Sequence, residues 1–193
     1  MLGGMAKVFD AIDDSLRAFI ERQHVFFVAT APSGDGGHVN VSPKGGAGMF
    51  RVTGPLGFAY ADMVGSGIET VAHLADNGRI TLLFCAFSGP PKLVRLQGTG
   101  HAVVHGEDGF AELAGRFPPM EGARAVVVAE LDRIATSCGY SVPFMELVDE
   151  RPTLKEWAER RGPDGVVEYR AQRNRTSIDG LPGLVRPAEA AEA

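Results

Sequence analysis

Hydrophobic residues recur along this chain with two periods, and the switching between them lays out the elements. From Val8 to Arg22 the apolar positions Phe9, Ile12, Leu16, Phe19 and Ile20 fall three and four residues apart. Asp13, Asp14, Arg17 and Glu21 occupy the other face, which predicts an amphipathic helix. HVFFVAT, His24 to Thr30, is β-branched and aromatic and predicts a buried strand. The turn residues PSGDGG follow at positions 32–37. Next comes HVNVSPKGG, where Val39 and Val41 alternate with His38, Asn40 and Ser42, so the two runs predict an antiparallel hairpin. MFRVT and GFAYAD flank Gly54-Pro55-Leu56 and predict a second hairpin.

The period then returns to that of a helix. Ile68, Val71, Ala72 and Ala75 form a stripe between Ser66 and Asp76. Ser66 and Glu69 have the spacing of a capping box, and Asn77-Gly78 supplies the stop. RITLLFCAF, Arg79 to Phe87, is apolar nearly throughout and predicts a central strand. LVRLQGTGHAVV, Leu93 to Val104, predicts a long strand, with Gly98 and Gly100 marking a bend or bulge. Glu107 to Arg116 predicts a short helix before Phe117-Pro118-Pro119. ARAVVVAELDRIATS predicts the last long strand, and its alternation slips by one near the end. Beyond it Thr153 and Glu156 have capping-box spacing after Pro152 and open the helix LKEWAERR. Asp164 to Arg175 reads as helical, SIDGLPGL as a turn, and RPAEAAEA as a polar tail.

Six or seven strands in hairpin order, with helices inserted, predict an antiparallel barrel of the mainly-β or α+β class. The absence of βαβ alternation, and of GxGxxG after a strand, argues against a doubly wound dinucleotide fold. No linker divides the chain, so residues 1–140 read as the barrel with its N-terminal helix. Residues 141–193 read as a helical extension and tail of the same domain.

Composition sharpens this picture. The 193 residues are 45% hydrophobic and 22% charged, which fits a globular chain long enough for one well-cored domain. The net charge of −5, without a basic aromatic-interleaved patch, argues against nucleic acid or an anionic membrane as partner. No apolar run approaches a bilayer span and no signal peptide is evident, so a cytoplasmic protein is expected. Cys85 and Cys138 lack ligand spacing and read as reduced thiols. His101 and His105 are four apart but span strand and turn, so no metal site is expected.

Candidate chemistry centres on the end of the HVNVSPKGG strand. It breaks at Pro43 and delivers Lys44 into the glycines of KGGAG. Two readings compete: an edge strand stopped by proline with a solvated lysine, or a strand end that holds an anion. Two further elements favour an anion. The helix start at Ser66-Gly67 presents unpaired N–H groups, and Arg95 sits on a facing strand. Tyr60, at the end of the strand leading to that helix, could add a hydroxyl or serve the core.

The order HVNVSPKG, then GFAYADMVGSGIETVAHLADNGRITLLFCAF, then LVRLQGTGHAVV resembles the pyridoxamine 5′-phosphate oxidase-like superfamily of FMN-binding split barrels. The likeness covers residues 25–104. The later stretches TSCGYSVPFMELVDERPTLKEWA and RNRTSIDGLPGL look like the C-terminal extension of one bacterial branch. The resemblance implies a six-stranded split β-barrel with flanking helices, forming a homodimer with FMN at the interface. It places Asn40, Ser42, Pro43 and Lys44 along the flavin ring. Tyr60, Asp62, Ser66 and Gly67 would hold the ribityl phosphate, and Arg95 would add a contact.

Where that superfamily's pyridoxamine phosphate oxidases carry an Arg-Lys pair after the serine, this chain has Gly67 and Ile68. Its only tryptophan, Trp157, lies in a predicted helix. The expectation is therefore an FMN-dependent oxidoreductase acting on a small molecule other than pyridoxamine phosphate. A deazaflavin in place of FMN, or a non-catalytic flavin, deazaflavin or haem carrier on the same barrel, is the rival. No catalytic side chain is assigned. Arg173, Asn174, Ser177 and Asp179 are candidates to fold over the pocket and meet substrate, against a plain helix end and docked turn.

Overall fold

The computed structural model describes residues 7–119 and 121–184. Its elements run β1 (Lys7–Phe9), α1 (Asp14–Glu21), β2 (Val25–Thr30), β3 (Asn40–Gly45), β4 (Phe50–Gly54) and β5 (Gly57–Met63). They continue with α2 (Glu69–Asn77), β6 (Arg79–Cys85), β7 (Leu93–Val104), α3 (Phe110–Ala114), β8 (Ala123–Ser137) and α4 (Thr153–Arg173). The strands form one sheet in the order β3-β2-β6-β7-β8-β5-β4, with β1 paired to β8, and each ladder is antiparallel. The sheet thus has eight strands where the resemblance implied six, and it curls into a split barrel with helices on its flanks. Among the described residues no ladder joins the edge strands β3 and β4; side chains close that seam instead.

Alternation within the strands decides what fills the barrel. Phe26 of β2 meets four rings, with centroids 4.9 Å from Phe50, 5.6 Å from Phe58, 5.4 Å from Tyr60 and 5.1 Å from Phe84. Phe26 lies on β2 and Phe50 on β4, so this aromatic packing spans the open seam. Leu16, Phe19 and Ile20 of α1 join the same core.

Several element boundaries differ from the sequence expectation, each for a local reason. The predicted helix from Val8 begins only at Asp14. Phe9 is drawn into β1 opposite Ile134, and the Asp13 carboxylate caps the helix by accepting from Leu16 N–H at 2.7 Å. Helix α2 starts at Glu69, not Ser66, and its first turn has no side-chain cap. Its stop is as expected: Gly78 takes φ 73° and donates to the Leu74 carbonyl. The Thr153–Glu156 box is likewise not formed; Pro152 occupies the cap and makes no side-chain bond. α3 shrinks to Phe110–Ala114. α4 joins the two predicted C-terminal helices across a break at Gly162, where φ is 68°.

The slip expected in β8 is a bulge. Gln97 pairs with Arg133 and Gly98 with Leu131, leaving Asp132 unopposed. A Cβ on Gly98 would strike the Glu130 carbonyl and Leu131 Cα, which are backbone and cannot swing away. Gly98→Ala is expected to destabilise by about 1–3 kcal/mol, the usual range for overpacking, in urea unfolding. Among the described residues no helix is long and apolar enough to cross a membrane.

Candidate functional site

The inner row of β3 is polar. Along this edge strand Asn40, Ser42 and Lys44 face inward and are half-buried, while Val41 is 62% exposed, as is Val39 just before it at 70%. The expected alternation is present, with the polar side turned toward the molecule. What it meets explains why. Ser42 Oγ donates to Asn40 Oδ1 at 2.9 Å. Asn40 Nδ2 donates to the hydroxyls of Thr30 at 3.1 Å and Thr70 at 3.0 Å. Thr30 Oγ1 in turn lies 3.1 Å from Nδ1 of the fully buried His73. With Asn40 donating to Thr30, the Thr30 proton is free to point at His73 Nδ1. The ring proton then sits on Nε2, which meets no partner. The network therefore leaves Ser42 Oγ as an acceptor toward any group beside it.

Below this row lies a buried ion cluster. The Asp62 carboxylate, wholly buried at the end of β5, accepts from Lys44 Nζ at 2.6 Å on one oxygen. It accepts from Arg124 Nε at 2.7 Å on the other. Burial alone would raise the Asp62 pKa. The adjacent Lys44 and Arg124 charges and their hydrogen bonds outweigh it and hold the carboxyl below its ordinary value. Arg124 Nη1 also donates to the Gly67 carbonyl at 2.6 Å and to the Gly65 carbonyl at 3.4 Å. One guanidinium thus ties β8 to β5 and to the turn before α2. The Lys44–Asp62 pair bridges β3 to β5 across the barrel seam.

These groups line a cleft of about 370 Å³, walled by Ser42, Lys44, Gly67, Glu69, Thr70 and Arg124. Of the residues anticipated from sequence, Ser42, Pro43, Lys44 and Gly67 line it and Asp62 lies beneath it. Asn40 stands one hydrogen bond behind Ser42. Ser66 is exposed on the turn and does not cap α2. Tyr60 points into the aromatic core, with its hydroxyl buried and unpartnered. Burial, then the Asp62 charge, drives its pKa well above the ordinary phenol value, against the opposing pull of Arg124.

Arg95 is not brought to Lys44 in this chain. It pairs with Ala135 in the ladder and donates to Ser137 Oγ at 2.9 Å, near the end of β8 remote from Arg124. In the C-terminal segment Arg173 is exposed, while Asn174 is fully buried and donates to the Gly65 carbonyl at 2.9 Å. Ser177 is buried in a turn closed on Leu181. Asp179 accepts from the His38 amide at 2.8 Å and contacts its ring at 2.7 Å, fastening that turn to the approach to β3.

Sequence reasoning missed Arg124. A lone cation in the apolar run ARAVVVA, set against the lone acid in GFAYADM, was the available signal. Opposite charges isolated in two buried strands are stable there only when paired.

An antiparallel split barrel with an ion-locked cleft at its seam defines the class of protein. The family profile described as pyridoxamine 5′-phosphate oxidase matches residues 12–138. The pyridoxamine 5′-phosphate oxidase family protein ustO of Aspergillus flavus is 38% identical over 192 residues, covering 91% of this chain and 77% of that one. The chain belongs to the pyridoxamine 5′-phosphate oxidase family. Among solved structures, a variant of HupZ from Group A Streptococcus aligns with a TM-score of 0.50 at 23% identity, over 65% of this chain and 98% of that one. The FAD binding protein from Mycobacterium smegmatis aligns with a TM-score of 0.46 at 14% identity, over 67% and 95%. At such identities the first of these likenesses speaks to the fold alone.

Proposed function

We propose that the cleft between β3 and β5 binds FMN and that the protein is a flavin-dependent oxidoreductase for a small molecule. The observation that carries this reading is the inward polar row of β3. A strand that turns Val41 to solvent and its Asn40, Ser42 and Lys44 inward, with Ser42 and Lys44 lining the cleft, is built around something polar in that cleft. The residues fit a flavin. Lys44 has three N–H donors and Asp62 takes one, while Ser42 Oγ is left as an acceptor. A donor beside an acceptor matches the alternating carbonyl and N–H edge of an isoalloxazine. FMN, when bound, supplies the hydride or electron chemistry. The chain's residues position the ring and set the polarity along its edge.

The cleft also bears on substrate. Ile68 is wholly buried against Val71 and Ala125, and Gly67 carries no side chain beside the Glu69 carboxylate. Neither position presents a cation, and Arg124, reaching the same turn from β8, is engaged by Asp62 and Gly67. At the turn expected to hold the flavin phosphate the chain thus departs from the pyridoxamine phosphate oxidase pattern, which supports a protein other than a true pyridoxamine phosphate oxidase.

A homodimer accompanies this reading. Val41 on β3 and Val39 just before it are exposed, as are Phe144 at 85% and Val148 at 94% on the segment after β8, which has no regular structure. Apolar groups of this size gathered on one chain are suited to burial against a second copy.

The absorption spectrum of the purified protein tests the cofactor. Flavin bands that are bleached by a nicotinamide donor and restored by air are expected. Flavin bands that no reductant turns over would favour a carrier, and colourless protein that takes up no FMN would overturn the reading. Lys44→Ala is expected to weaken FMN binding by about 1–3 kcal/mol, read by fluorescence titration; unchanged affinity would remove Lys44 from the site.

A further inference from the structure

A second cavity, of about 390 Å³, lies beside the start of β8 in the elbow of α4. The elbow exists because Gly162 leaves helical geometry and Pro163 restarts the helix. Its outer side is pinned by the Arg161 guanidinium, 5.1 Å from the Trp157 ring and 5.4 Å from Tyr169. Inside, Phe110, Pro118, Ala158 and Val166 form apolar walls. Arg170 supplies the positive charge at one end, beside the His105 ring, whose pKa burial and then the Arg170 charge lower; Glu121 also lines the cavity.

Arg170 is the anomaly. Its Nη2 donates to the Ala123 carbonyl at 2.6 Å, but its Nε is buried and unpartnered. Among the described residues no carboxylate, Glu121 included, is ion-paired with it. Burial, and then the like charge of Arg124, lower its pKa. A half-buried guanidinium beside another cation, with a donor unused and no counter-ion among the described residues, is in an unfavourable state that an anion would relieve. The walls are mostly hydrocarbon, and among the described residues no carboxylate is paired with the one guanidinium. That matches one negative charge on an apolar body.

We propose that this cavity binds a small apolar carboxylate, its carboxylate on Arg170 and its hydrocarbon body against Phe110 and Val166. The site is separate from the flavin cleft and does not depend on the flavin reading. Ala123, which anchors Arg170, adjoins Arg124 of the ion cluster, so the two sites are neighbours along β8.

The test is an NMR titration of the full chain with 4-phenylbutyrate and, separately, with the corresponding amide. The acid is expected to bind at least tenfold more tightly, shifting the Arg170 Nε–H, His105 and Val167 resonances. Arg170→Gln should reduce binding of the acid to that of the amide. Val167→Trp, at an exposed lining position, should block both. Equal binding of acid and amide would overturn the proposal. So would shifts confined to Lys44 and the flavin cleft, or an acid preference that survives Arg170→Gln. Should Arg170→Gln not fold, the acid–amide comparison and Val167→Trp decide the matter.

Discussion

Asp62→Asn is expected to lower the stability of the protein by about 3–5 kcal/mol, the range found when one partner of a buried ion cluster is removed. Asparagine keeps the volume, so the loss reports charge and not a cavity. Lys44 and Arg124 would be left as adjacent cations with no anion between them. Urea unfolding of the two proteins checks the figure. The pH dependence adds a second reading. The Asp62 pKa lies below its ordinary value in the folded chain, so the unfolded chain binds the proton more readily as pH falls. Its contribution is fully present above the ordinary aspartate pKa and is lost as pH drops through that value toward the folded one. Asp62→Asn should therefore show a flatter acid limb. An unchanged acid limb would mean that Asp62 is not ionised in the fold.

Phe26→Ala is expected to cost about 3–5 kcal/mol, the range for truncating a large buried ring. Phe26 is 1% exposed and touches the rings of Phe50, Phe58, Tyr60 and Phe84. Its loss removes packing between β2 and β4, which no ladder joins. Phe27 is the control. It is the next residue on β2, points to the other face and is only partly buried, so Phe27→Ala should cost markedly less. Similar losses from both, in the same denaturation experiment, would contradict the placement of the core.

The strands were legible because their periods were clean. ARAVVVAELDRIATS is β8 in full, and the glycines of LVRLQGTGHAVV mark the partner of its bulge. Helix starts were less legible, because a capping box is a spacing and the structure can use the same residues otherwise. At Ser66 the competing demands are the burial of Ile68 and the hold of Arg124 on the Gly67 carbonyl. Together they delay the helix to Glu69. Lys44 and the Ser66-Gly67 turn could be grouped from sequence because each lies near an element end, while Ser42 came in through the resemblance. Arg95 was grouped with them on the assumption that a facing strand meant a nearby side chain. Along the ladders Arg95 is level with Pro43, but β2 and β6 stand between them, and Arg95 shares the face of Phe27 and not that of Lys44.

The inverted face of β3 bears on how the strand finds its register. Sliding β3 by one residue against β2 would turn Val39, Val41 and Pro43 inward and expel Asn40, Ser42 and Lys44. Judged by hydrophobicity alone, that mispairing is the better one. Two features oppose it. Pro43 has no N–H, and on an edge strand its nitrogen must face away from β2; a one-residue slip would turn it into the ladder. The slip would also strand Asp62 with Arg124 alone and break the Asn40 bonds to Thr30 and Thr70. The polar row and its ion cluster are thus a register lock as well as a cleft wall. The same atoms that would meet a ligand hold the chain out of its most tempting misfold.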